Sequence, residues 1–165
     1  MNQALLTSNK HNWETPIDVF EPLNDEFGFT LDPCAEPHTA KCEKFFTVND
    51  NGLSQSWEGE TVFCNPPYGN HLKKWIAKSV VESKKPGTTV VMLIPSRTDT
   101  AYFHDYILPH ADDIRFLRGR IKFLINGKPK DRAPFGSLIV VFKHVAYPQK
   151  TKINENQQRG HITIV

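Results

Sequence analysis

The residues best able to do chemistry are Asn65-Pro66-Pro67-Tyr68. With proline at about 5% of residues, roughly one chain in a thousand of this length carries the string by chance. The chemistry it fits starts from a difficulty: the exocyclic amine of adenine is a poor nucleophile, because its lone pair is delocalised into the ring. If the side-chain oxygen of Asn65 and the backbone carbonyl of Pro66 both accept from the amine hydrogens, the nitrogen is drawn toward tetrahedral geometry and its lone pair is freed. Consecutive prolines, with φ fixed and no amide donors, hold those acceptors rigidly and keep the carbonyl out of a sheet ladder. Tyr68 adds a flat face for a base extruded from a duplex. Stacking there returns about 1–3 kcal/mol of an unstacking cost of a few kcal/mol. The plainer alternative is a diproline turn with an exposed Asn and a packed Tyr.

Such a motif must be positioned by an element on each side. Thr61-Val62-Phe63-Cys64 is an apolar run that stops at Asn65, which puts the motif at a strand's C-terminal end, where open α/β sheets bind their ligands. A helix is predicted over about 70–83, with Leu72, Trp75, Ile76 and Val80 on one face and Lys73, Lys74 and Lys78 off it. Residues 88–94 are β-branched and apolar enough for a central strand, ended by Pro95. Upstream, Thr15-Pro16 marks a helix start, with Thr as cap, Pro at the first helical position and Asp18 favouring the positive end of the dipole. Val19, Phe20, Leu23 and Phe27 form its apolar face and Gly28 ends it. Further strands are predicted at 29–31, running into an Asp32-Pro33 turn, and at 44–48, 114–123 and 138–142, with a helix around 99–108. The order predicts one α/β domain over 1–165: a compact, reduced Rossmann-like sheet of about six strands, parallel at its centre, closed by an antiparallel hairpin, with helices on both faces. Residues 148–165 read as a loose polar tail whose last five residues add an edge strand.

Charge is unevenly spread. The net of +2 hides 11 acids against 3 bases in residues 1–60, net −8, and 7 acids against 17 bases in 61–165, net +10, so a polyanion is expected to meet one side only. Within the basic half, 114–132 holds Arg115, Arg118, Arg120, Lys122, Lys128, Lys130 and Arg132 against the single acid Asp131, enough to bind phosphates by counterion release. Arg118, Arg120 and Lys122 are the expected contacts there. Arg97, just past a central strand, is expected on the target strand's phosphate or base. A plain solvated basic face is the competing reading. No run approaches the roughly 20 apolar residues that span a bilayer, and Met1 to Leu6 lacks a signal pattern, so a cytoplasmic protein is expected. Three cysteines, none in a C-x-x-C pair, and seven scattered histidines predict neither a disulfide framework nor a metal site.

The motif and its surroundings resemble the S-adenosylmethionine-dependent amino-methyltransferases and, among them, the short phage-type DNA N-6-adenine methyltransferases. The resemblance spans most of 13–143. It is carried also by Trp13-Glu14-Thr15-Pro16, Leu31-Asp32-Pro33-Cys34-Ala35, Asp50-Asn51-Gly52-Leu53 before Trp57, Ile94 to Thr100 with Phe103-His104, residues 114–123, and Ala133 to Ser137. It implies S-adenosylmethionine as cofactor, with Asp32, Pro33, Cys34 and Ala35 bordering its methionine part, Trp13, Thr15 and Pro16 near the carboxylate, and Asp50 facing the adenosine. As plain turn residues, Asp32 and Asp50 need no ligand. Most such enzymes have a glycine-rich first loop where Pro33-Cys34-Ala35 stands, so backbone approach to the cofactor must differ here. The implied partner is double-stranded DNA in a bacterial host's cytoplasm, and the implied reaction is methyl transfer to adenine N6 by base flipping and direct transfer. Methylation of a protein glutamine or an RNA guanine, or a non-catalytic DNA-binding remnant, are the rivals. His104 is not expected to act as a base, since the methylated amine loses its proton readily to water. With no separate recognition domain evident, specificity falls to loops around 97–104 and 118–132 or to a second subunit in a homodimer.

Overall fold

The computed structural model describes residues 13–144 and the backbone of 161–164. The first helix, α1, is Ile17–Phe27. Strands β1 (Leu31–Asp32), β2 (Lys44–Phe45) and β3 (Thr61–Cys64) follow, then α2 (Leu72–Glu82) and β4 (Thr89–Pro95). A π-helix, Phe103–Ile107, runs into the single turn α3, Leu108–His110. Then come β5 (Asp113–Phe116), the short ribbon β6 (Leu124–Ile125) and β7 (Lys128–Pro129), β8 (Ser137–Lys143) and β9 (His161–Ile164).

Seven strands make the main sheet, in the order β2-β1-β3-β4-β8-β5-β9. The four from β2 to β4 are parallel, β8 runs antiparallel to β4 and β5, and β9 lies parallel to β5 as the edge strand expected of the last residues. The rest of the predicted polar tail, 145–160, lies outside the described residues.

Alternation along the central strands decides the layers. Val90, Met92 and Ile94 of β4 join Leu138, Val140 and Phe142 of β8 in a core capped by Leu72, Trp75, Ile76 and Val80 of α2 and by Phe103 and Ile107 of the π-helix. Val91, Leu93, Ile139 and Val141 point the other way, against Phe20 and Leu23 of α1 and against Phe123 and Ala133. Both faces of β4 and β8 are thus dry, which is why these segments read as continuous apolar runs.

Three local expectations change. Thr15 does not cap α1: Pro16 is the N-cap residue, and no side chain caps the free amides. Gly28 does end the helix, in the left-handed region at φ 67°, with its N–H donating to the Asn24 carbonyl. The strand predicted over 114–123 stops at Phe116, because the chain turns through Gly119 at φ 79° and sends Ile121 and Phe123 into the α1-side core. The Lys44–Val48 strand shortens to two residues.

Buried Glu82 then fixes a loop from behind. Burial works against its charge, but hydrogen bonds from Lys78, Lys85 and the Trp57 N–H hold its carboxyl below the usual range. Trp57 in turn donates its indole N–H to the Gly52 carbonyl at 3.0 Å, which sets the loop that follows β2.

Candidate active site

At the C-terminal ends of β1, β3 and β4 the sheet opens into a cavity of about 740 Å³, within the range of sites for drug-sized ligands. Asn65 to Tyr68 form one wall. Pro33, Cys34 and Ala35 form a second, Thr47, Val48, Asn51 and Gly52 a third, and Leu72, Trp75, Thr100 and Tyr102 the far end, with Trp13, Arg97 and Phe135 at the remaining side.

Asn65 is held by its whole amide. Its Nδ2 donates to the Trp13 carbonyl at 2.9 Å and to Thr15 Oγ1 at 3.1 Å, while its Oδ1 accepts from the Tyr68 hydroxyl at 2.8 Å. A backbone carbonyl can only accept, so the nitrogen must face Trp13 and the oxygen must face away. Oδ1 keeps a second lone pair. Burial pushes the Tyr68 phenol well up, so it stays a protonated donor. Pro66 is buried, and among the described residues nothing donates to its carbonyl. The site therefore holds two oxygen acceptors with lone pairs to spare, and both Asn65 donors are used within the chain.

Trp13 and Phe135 stack at 5.6 Å and 14°, and both meet the Tyr68 ring edge-on. This aromatic cluster joins the start of the chain to the loop before β8. The resemblance implies Trp13 as a cofactor residue and includes Phe135 among the residues that carry it, and the periodicity puts Trp75 on a core face; none of these readings points to the cluster.

The second and third walls interlock. Gly52 packs on the Pro33 carbonyl so closely that an added Cβ would sit 2.0 Å from that oxygen. Behind them Asp32 is 5% exposed and accepts from the Lys41 and Cys34 N–H groups. Burial raises its pKa from the ordinary 3.8 to about 6. Asp32 and Thr15 line a small hollow behind Asn65, not the large cavity. Cys34 lies 3.8 Å from buried Cys64 and directs its thiol to the Asn65 carbonyl at 3.3 Å. Burial pushes that thiol well up, so it is no thiolate nucleophile.

The other predicted residues fall elsewhere. Pro16 begins α1 off the wall of the large cavity. Asp50 is exposed and also off that wall. Its Oδ2 accepts from the Thr47 N–H and hydroxyl, which fixes the turn whose neighbours do line the cavity. Arg97 is exposed at the rim. Arg118, Arg120 and Lys122 are exposed, with Arg120 donating to the Ala133 carbonyl at 3.3 Å, one residue from Pro134 on the cavity wall. Arg115 leaves the basic patch: it forks onto Glu26 at 2.6 Å and onto Asp113 at 2.7 Å, clamping α1 to β5. His104 bonds the Thr98 carbonyl and is not on the cavity wall. Among the described residues no cluster of three His, Cys, Asp or Glu could hold a metal, and no helix is long and apolar enough to cross a membrane.

The cavity also fits a nucleoside-sized polar ligand chemically. Among the described residues the buried Tyr102 hydroxyl has no partner, and Tyr102 lines the cavity together with the apolar Trp75 and Leu72. A mainly parallel sheet with Asn-Pro-Pro-Tyr at the end of β3, facing such a cavity, defines a Rossmann-like methyltransferase. The family described as DNA N-6-adenine-methyltransferase (Dam) matches residues 2–161. The chain belongs to that family, which makes it an adenine-specific DNA methyltransferase. Among its relatives, the DNA N-6-adenine-methyltransferase of Haemophilus phage HP1 (strain HP1c1) is 33% identical across 82% of this chain and 80% of its own. The DNA N-6-adenine-methyltransferase of Escherichia phage T1 is 27% identical across 92% of this chain and 68% of its own.

Two outcomes follow from the walls. Gly52→Ala must push the third wall off Pro33, so urea unfolding should show a loss of about 1–3 kcal/mol while the far-ultraviolet circular dichroism is kept. Asp32 has a folded pKa above its unfolded value, so its contribution to stability is present below pH 3.8 and is lost as the pH rises through about 6. Urea unfolding at a series of pH values should show wild type losing about 2 kcal/mol relative to Asp32→Asn between those limits.

Proposed function

We propose that this chain methylates the N6 amine of adenine in double-stranded DNA with S-adenosylmethionine, acting directly on a base extruded from the duplex. The observation that carries the reading is the Asn65 amide on the cavity wall, whose donors are both spent on the chain while its oxygen, accepting only from the Tyr68 hydroxyl among the described residues, keeps a lone pair. When bound, S-adenosylmethionine supplies a methyl group made electrophilic by its sulfonium. Asn65 Oδ1 and the Pro66 carbonyl accept the two hydrogens of the adenine amine, and this draws the nitrogen's lone pair out of conjugation and aims it. Tyr68, braced edge-on by Trp13 and Phe135, gives the extruded base an aromatic surface. Pro33, Cys34 and Ala35 with the 47–52 loop enclose the cofactor, and Asp32 lends negative charge from behind once ionised. The protonated Cys34 thiol interposes no covalent step, and the methylated amine passes its surplus proton to water. Arg97 at the rim and the exposed Arg118, Arg120 and Lys122 take the DNA phosphates, which gives binding a steep salt dependence. The bacterial cytoplasm, where such DNA lies, is the place of action.

Incubation with methyl-labelled S-adenosylmethionine and unmethylated duplex DNA, followed by digestion to nucleosides, should place the label on N6-methyladenine. Asn65→Ala should lower turnover about 10²–10³-fold while S-adenosylhomocysteine affinity stays within a few fold. Label on cytosine alone, or near-normal turnover by Asn65→Ala, would overturn the reading.

A further inference from the structure

The terminal torsion of an asparagine is soft and roughly two-fold, so only its hydrogen bonds choose which end of the amide faces a ligand. In this chain Nδ2 has two hydrogens and two acceptors: the Trp13 carbonyl, and Thr15 Oγ1 at 3.1 Å. The Trp13 carbonyl is backbone and would be kept in any variant. Thr15 is therefore the one side chain that completes the donor half of the lock.

Among the described residues its hydroxyl makes no other hydrogen bond. It precedes the N-cap residue of α1, makes no capping bond, and is 2% exposed behind Asn65 rather than on the wall of the large cavity. A threonine written like a helix cap is spent across 50 residues of chain on an amide in another element.

We propose that Thr15 is a positioning residue for methyl transfer, acting through Asn65 by consuming its second amide hydrogen so that only Oδ1 is offered to the target amine. The catalytic part of this rests on the function proposed above, while the lock itself does not. Without Thr15 the second N–H points at no acceptor, and the amide's orientation rests on the Trp13 carbonyl and the Tyr68 hydroxyl alone, a looser hold on the acceptor that the amine needs. Glu14, between the two bonding positions, pairs its backbone with Leu124 in both directions at 2.9 and 3.0 Å, so the segment cannot drift to compensate.

Thr15→Val keeps the shape and removes the acceptor; Thr15→Ala serves if the valine does not fold, and Thr15→Ser keeps the oxygen. In the protein without ligand, the Asn65 side-chain amide protons, assigned by their loss in Asn65→Ala, should show slow hydrogen exchange. Exchange of one of them should speed about tenfold in Thr15→Val and return in Thr15→Ser. With saturating S-adenosylmethionine and duplex DNA, kcat should fall about 10- to 100-fold in Thr15→Val, with S-adenosylhomocysteine affinity within twofold and recovery in Thr15→Ser. Unchanged amide exchange, or unchanged kcat, overturns the proposal. So does a variant that keeps kcat but loses cofactor affinity, which would make Thr15 a cofactor ligand alone. Absence of adenine methylation by wild type with the amide lock intact would instead overturn the functional reading and leave the lock standing.

Discussion

The orientation of one amide governs the site. Asn65 gives its amide hydrogens to the Trp13 carbonyl and to Thr15 Oγ1 on one side and accepts from the Tyr68 hydroxyl on the other, and together these contacts set the direction of its oxygen. A nucleobase amine has hydrogens to give, so the protein must offer acceptors there, and a flipped amide would repel it. The surroundings are built to prevent that flip. Trp13 is stacked on Phe135, Glu14 is bridged to Leu124, and Tyr68 is braced by both aromatic rings. The motif thus depends on a segment fifty residues away in sequence, with no acceptor of its own to set the amide.

The sheet provides the fixed frame for this. The central strands β4 and β8 are buried on both faces, between α2 with the π-helix and α1 with the 121–133 segment. Their C-terminal and loop ends cannot move independently. The cavity walls inherit that rigidity through a relay: Glu82 holds Trp57, Trp57 holds Gly52, and Gly52 rests on the Pro33 carbonyl. A loop without the usual run of glycines still forms a wall, because the close approach is made by Gly52 from the opposite side rather than by glycines within the loop itself.

Much of this was legible in the residues. The apolar run ending at Asn65, the helix after it, the central strand at 89–95 and the layered α/β order follow from periodicity and breakers, and the structure keeps them within a few residues. The 114–123 strand was misjudged because alternating apolar and basic residues look like a half-buried strand, while Gly119 turns the chain and the apolar residues beyond it serve the other core. Arg115 counted as free basic charge until α1 brought Glu26 to it. Phe135 carried no chemical signal, since an aromatic residue becomes part of a site only when folding sets it against Trp13 and Tyr68.

Sequence alone determined which atoms could accept from an amine and roughly where along the chain they sit, since residue type sets donor and acceptor character and local pattern sets the strand before and the helix after. Tertiary structure decided which way those atoms face and what surrounds them. Thr15 looked like a helix cap and became a partner of Asn65. Hydrogen-bond partners distant in sequence are chosen by packing, and no local pattern encodes that choice.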